Sequence, residues 1–124
     1  MFSKEDLISS YSQAQAIEDG VLQLISPEIS KDYFKYPVIL SVGLVTLIEK
    51  AIANKKYMAD YRGIVHDILS MCQIAARRSS EQDVLRAKVI IRGTGPRATY
   101  DLLMVCGPGD NSEPTITIML PEDY

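Results

Sequence analysis

Residues 99–121, TYDLLMVCGPGDNSEPTITIMLP, constrain this chain more tightly than any other stretch. In residues 100–106 Tyr100, Leu102, Met104 and Cys106 fall on one face of an extended chain, and Leu103 and Val105 on the other. A run that is apolar on both sides suits a central strand covered on both faces. From residue 115 to 120 the alternation sharpens. Ile116, Ile118 and Leu120 share one face and Thr115, Thr117 and Met119 the opposite one, which predicts a half-buried strand. The intervening GPGDNSEP breaks any regular element and supplies turn positions, so a loop over Gly107–Pro114 is predicted, too long for a tight two-residue hairpin.

Upstream, Ser3 can cap a short helix through Ser10, and Ser12 can begin a second over QAQAIED that Gly20 stops. VLQLI (residues 21–25) reads as a short strand ended by Ser26-Pro27 and expected to join the C-terminal sheet, since an isolated strand leaves its backbone groups unpaired. One or two helical turns are expected over residues 28–34. Tyr36-Pro37 marks a break, after which Leu40, Leu44, Leu47, Ile48 and Ala51 repeat with helical spacing. This predicts a buried helix over residues 38–54. Asp60 can cap the next helix, with Tyr61, Ile64, Val65, Ile68, Cys72 and Ala75 on one side and Arg62, His66, Gln73 and Arg77 on another. Leu85, Ala87, Val89 and Ile91 then alternate with Arg86, Lys88 and Arg92, a one-sided strand in which Ile90 is the exception; its cations also guard an edge against accidental pairing. GTGPR (residues 93–97) turns the chain into the hairpin.

The reading is α+β: two main helices packed on one face of a three- to four-stranded, mainly antiparallel sheet, with short N-terminal helical segments. With 124 residues of which 47% are hydrophobic, the chain has material for one core, so residues 1–124 are read as a single domain.

A net charge of −3 provides no basic field for gripping phosphates, which argues against general nucleic-acid binding. MFSKEDLISS lacks the basic leader and apolar core of a signal peptide, and the apolar stretch at residues 38–48 is too short for a bilayer. A soluble, cytoplasmic protein is expected, without a membrane partner. Cys72 and Cys106 lie in apolar surroundings without Cys or His at ligand spacing, and are read as buried free thiols.

Few residues carry chemistry. His66 is the only histidine, and without a carboxylate or nucleophile at matching spacing it reads as a surface residue rather than a general base. Glu18-Asp19 combine two acids with a helix end and a glycine. They suit helix termination, and a divalent cation needs more oxygen ligands than Gln15 and Gln23 offer. Arg77 and Arg78 compensate a helix dipole or meet a phosphate or partner. In the 107–114 loop Asp110, Asn111, Ser112 and Glu113 lack the glycine spacing of a calcium loop, and Pro108 removes an amide that a phosphate cradle needs. A recognition loop is the sharper reading of it, because loops on rigid strands are where binding sites lie. No cofactor and no metal are expected.

YSQAQAIEDGVL, FKYPV, IAARR and VCGPGDNSEPTITIMLPED, in that order, resemble the signature segments of an uncharacterised bacterial domain family of unknown function, carried on plasmids, phages and genomic islands. The chain departs from that pattern in its first long helix, where the family often carries a tryptophan and this sequence has none. The resemblance implies a mobile-element accessory protein that acts by binding a host protein, as inhibitors of restriction or CRISPR immunity do. The residues themselves point to a non-enzymatic binding module that engages a basic protein surface through Asp110, Asn111 and Glu113, with Glu18, Asp19, Arg77 and Arg78 as further binding candidates. The alternative is a small nucleotide- or metal-dependent enzyme with Asp19, Arg77, Arg78 and Asp110 around a pocket at the sheet end. A homo-oligomer built through the sheet or the first long helix is a third reading.

Overall fold

The C-terminal hairpin forms with the alternation of its two strands intact. In the computed structural model, which describes residues 22–78, 84–96, 98–108 and 114–123, the three later strands are β3 (Val84–Ile90), β4 (Thr99–Pro108) and β5 (Pro114–Met119). β4 pairs antiparallel with β5 from Leu103↔Met119 to Pro108↔Pro114. The ladder thus reaches into the expected loop: Gly107, Pro108 and Pro114 belong to strands. Prolines are tolerated there because they sit at strand ends, where a missing amide interrupts no central ladder. The rest of the predicted loop, with Asp110, Asn111 and Glu113, lies outside the described residues.

β4 is flanked by β5 and, antiparallel, by β3. Leu102 and Met104 are buried on one face and Leu103 on the other, as its two-sided apolarity requires. β3 shows the predicted one-sided alternation, with Leu85, Ala87 and Val89 buried and Arg86, Lys88 and Ile90 exposed.

The N-terminal half corrects the expected topology. Residues 38–54 are not one helix. Val38–Ser41 form a strand, β2, and the helix α2 spans Val42–Ala53. All four β2 residues are buried, and β2 runs parallel to β5 with Val38↔Ile116 and Leu40↔Ile118 in register. A run apolar on every side serves a buried parallel strand as well as a buried helix, and spacing alone does not separate them. Pro37 already belongs to the sheet, its carbonyl accepting from the Ile116 amide at 2.9 Å. Ser41 marks the switch: its backbone is extended, and its hydroxyl accepts from the Leu44 amide, the work of an N-cap.

The predicted N-terminal strand is present as β1 (Leu22–Leu24), antiparallel to β2. It joins the C-terminal sheet only through β2. The sheet is therefore five-stranded and mixed, ordered β1-β2-β5-β4-β3, rather than three- or four-stranded and mainly antiparallel. Between β1 and β2, α1 (Pro27–Ser30) gives one helical turn, and the Tyr33 and Phe34 amides still bond the Ser30 carbonyl.

The second long helix, α3 (Tyr61–Arg78), begins as read: Asp60 Oδ1 accepts from the Gly63 amide at 2.7 Å. Its buried side is Ile64, Val65, Ile68, Leu69 and Cys72. Leu44, Val45, Ile48 and Ala51 of α2 join that side, the inward residues of β2 to β5, and Ile25 in one hydrophobic cluster. Both helices thus cover the same face of the sheet, α2 over the β1, β2 and β5 half and α3 over β3. The chain closes with a 3-10 turn at Pro121–Asp123 that returns to β4.

Candidate functional site

Because α3 lies along β3, it walls one side of the outer edge of the sheet. The turn after β3 fixes which backbone groups face outward. Ile91 N–H donates to the Ala98 carbonyl at 2.8 Å, and the two residues stand opposite each other one step beyond the Ile90↔Thr99 pair. Bonded and non-bonded pairs alternate along an antiparallel ladder. Leu85, Ala87 and Val89 therefore bond toward β4, while the N–H and C=O groups of Arg86, Lys88 and Ile90 point away from the sheet. Among the described residues no strand lies beyond them.

Beside this edge runs a trough. Its central part encloses about 440 Å³ between Asp67, Ser70 and Met71 of α3 and Lys88, Val89, Ile90 and Thr99 of the sheet. Toward the helix C-terminus it continues past Ile74, Ala75 and Arg78 against Arg86 and Ala87. Toward the helix start it reaches Tyr57, Ala59 and Arg92. Asp67, Met71, Ile74 and Arg78 recur at helical spacing and form one stripe of α3. Met71, Ile74 and Ile90 are 38, 40 and 57% exposed, large apolar side chains turned to water rather than into the core, the first two on α3 and Ile90 on the face of β3 that carries Arg86 and Lys88.

The trough's rim is cationic. Arg78, Arg86, Lys88 and Arg92 stand around it against Asp67 and Asp101. Among the described residues the ion pair is Lys88–Asp101, 3.7 Å across the β3–β4 ladder with both side chains well exposed, and such pairs hold little energy. This local excess is opposite in sign to the whole chain, at −3.

The sequence-predicted binding residues divide accordingly. Arg77 and Arg78 are exposed in the last turn of α3, and Arg78 lines the trough. Glu18, Asp19, Asp110, Asn111 and Glu113 lie outside the described residues. Met71, Ile74 and Ile90 were not singled out by sequence; Ile90 alone carried a signal, as the apolar residue on the polar face of its strand.

Among the described residues, His66 is engaged and Cys72 is buried. His66, expected on the surface, is half-buried: Tyr33 Oη stands 2.7 Å from its Nδ1, and the rings meet at 5.4 Å. The phenol donates when the ring proton is on Nε2. Gln73 donates to the Tyr33 carbonyl at 3.1 Å, so two α3 residues tie down the segment before β2. Cys72 and Cys106 are not joined in a disulfide, and the first is buried and the second half-buried. Burial, and then the neighbouring Cys106, push the Cys72 thiol up to about 12, which denies it thiolate character at neutral pH. Among the described residues no three His, Cys, Asp or Glu side chains converge as a metal site needs, and no helix is long and apolar enough to cross a membrane.

Neither a curated protein nor a solved structure matches the chain. The sequence model of a family described as being of unknown function, DUF6573, matches residues 1–124. The chain, matched along its whole length, belongs to that family.

Proposed function

We propose that this chain is a non-enzymatic protein-binding module whose working surface is the trough between α3 and the edge of β3. The observation that carries the reading is the conjunction at one place of exposed Met71, Ile74 and Ile90 with outward backbone groups on β3. Apolar surface beside outward strand groups, which have no strand neighbour among the described residues, is what a protein partner can use. The nucleophile and base candidates support the same reading, since Cys72 is buried and His66 is held by Tyr33. In the mobile-element setting that the sequence resemblance implies, the partner is a host protein, such as a component of restriction or CRISPR immunity.

The test is affinity capture with the full-length chain and with an Arg86→Glu/Lys88→Glu variant, partners being identified by mass spectrometry. The expected result is a partner held by the wild type and released by the charge reversal. A partner held equally by both places the working surface elsewhere. Turnover of a nucleotide in the presence of a divalent metal overturns the non-enzymatic reading.

A further inference from the structure

The geometry points to a specific occupant of this edge: an extended acidic segment of the partner, added to the sheet as a sixth strand beside β3. The inference rests on the protein-binding reading and names the chemistry of the partner. Three features carry it.

The first is the phase of the ladder. The N–H and C=O groups of Arg86, Lys88 and Ile90 point outward in a row, with the spacing of a strand and no described neighbour. Strand addition satisfies all of them at once, in a way that a helix laid across the edge cannot.

The second is the pair of surfaces flanking that row. Side chains of an added strand alternate between its faces. Those turned toward α3 enter the trough beside Met71 and Ile74 and gain by being apolar. Those on the other face stand next to Arg86, Lys88 and Ile90, and the two beside the cations gain by being acidic.

The third is what the same charges reject. If a second copy paired its own β3 antiparallel across this edge, the registers centred on Arg86 and Lys88 would set Arg86 against Arg86, Arg86 against Lys88, or Lys88 against Lys88, and the two that slip toward Ile90 would bring Arg92, just past the strand end, opposite Arg86 or Lys88. Like charges directly opposite destabilise a pair, and cations are a common guard of an open edge. The edge is closed to its own kind and open to acids.

The experiment uses the full-length chain and a short fluorescent peptide of alternating valine and glutamate. The comparison probes are its valine–lysine counterpart, the valine–glutamate peptide N-methylated on alternate residues, and a single-stranded oligothymidylate. The acidic peptide is expected to bind roughly tenfold tighter than the lysine peptide, because two opposite-charge cross-strand pairs replace two like-charge ones. It should slow amide hydrogen exchange at Arg86, Lys88 and Ile90, while the N-methylated peptide does neither. Lys88→Pro should abolish binding and leave the fold intact, because the amide it removes points outward and serves no ladder. Arg86→Glu/Lys88→Glu, which keeps every amide, should invert the preference toward the lysine peptide.

Equal binding of the two charged peptides overturns the inference. So does protection of those three amides by oligothymidylate in preference to the peptide, which makes the rim a phosphate site, or their concentration-dependent protection in the peptide-free protein, which makes the occupant a second copy. If the acidic peptide fails while a captured partner survives charge reversal, strand addition at β3 falls and the protein-binding reading stands on another surface.

Discussion

The Asp123 carboxylate lies over Gly43 in the first turn of α2, where its Oδ2 accepts the Ser41 hydroxyl at 2.8 Å. A closing residue of the chain thereby sits at the positive end of the helix that Ser41 caps, an arrangement favoured by the helix dipole. The glycine makes room for it: a Cβ on Gly43 would come within 2.5 Å of Asp123 Oδ2.

The first prediction follows from that contact. Alanine in place of a helical glycine ordinarily stabilises by about 1 kcal/mol. Here Gly43→Ala displaces a carboxylate whose hydrogen bond and dipole contact are together worth about the same. The substitution should therefore be near neutral in the wild-type chain and stabilising by about 1 kcal/mol in an Asp123→Ala background. Urea denaturation of the four proteins measures this, and equal effects of Gly43→Ala in both backgrounds would show that the tail is not seated on the helix.

The Tyr33–His66 contact carries a second prediction. The hydrogen bond and ring contact join the α1–β2 connection to α3, and both partners are half-buried. Tyr33→Phe and His66→Ala should each destabilise, and a double-mutant cycle should return a coupling of about 1 kcal/mol, the net worth of a hydrogen bond of this kind. Additive losses would mean that the two side chains contribute independently of each other.

Much of this fold could be read before any coordinates, and where it could not the reason is physical. Asp60 as a cap, the α3 core stripe and the alternation of β3 and β5 are local patterns, each recorded within a few consecutive residues. β2 was missed because Val38, Ile39 and Leu40 are buried on both faces of the sheet, which erases the period that separates strand from helix. Its parallel partner β5 is also distant along the chain, so no hairpin chemistry announces the pairing. Ser41 was the available clue, a capping residue in the middle of an apolar run. Arg77 and Arg78 were legible as last-turn cations. The trough that Arg78 borders was not, because Met71 and Ile74 acquire their role only once α3 is laid against the edge of β3, and a single sequence does not state which strand a helix covers.

A third prediction concerns the α2–α3 connection. Met58 holds a φ of +48° and is 89% exposed. A left-handed backbone costs a residue with a Cβ roughly 1–2 kcal/mol, and so exposed a side chain recovers little of it by packing. Met58→Gly removes that strain, offset by about 0.5–1 kcal/mol of extra chain entropy in the unfolded state. The net expectation is a gain of about 0.5 kcal/mol, read as a rise in Tm of about 2 °C. A fall in Tm would show that Met58 makes a contact worth more than its backbone strain.

Cys72 supplies the fourth prediction, a dependence on pH. Its thiol is raised from an ordinary 9.0 to about 12, chiefly by burial and then by Cys106. Burial favours the protonated form, so the folded chain keeps this proton through a range in which the unfolded chain releases it. Below pH 9 both states hold it, and the contribution of Cys72 to stability is fully present. As the pH rises from about 9 toward 12 the unfolded state binds fewer protons, and stability falls by up to about 1.4 kcal/mol per pH unit. Cys72→Ala lowers the whole stability curve by opening a cavity but removes this portion of the slope, so the gap between the two proteins should narrow across that range. Denaturation curves of both proteins from pH 8 upward measure the gap, and a constant difference would show that Cys72 titrates alike in the folded and unfolded chain. Alkylation gives an independent check: at pH 8 a thiol with a pKa near 12 is thiolate in only about one molecule in ten thousand. Iodoacetamide should therefore spare Cys72 until denaturant unfolds the chain.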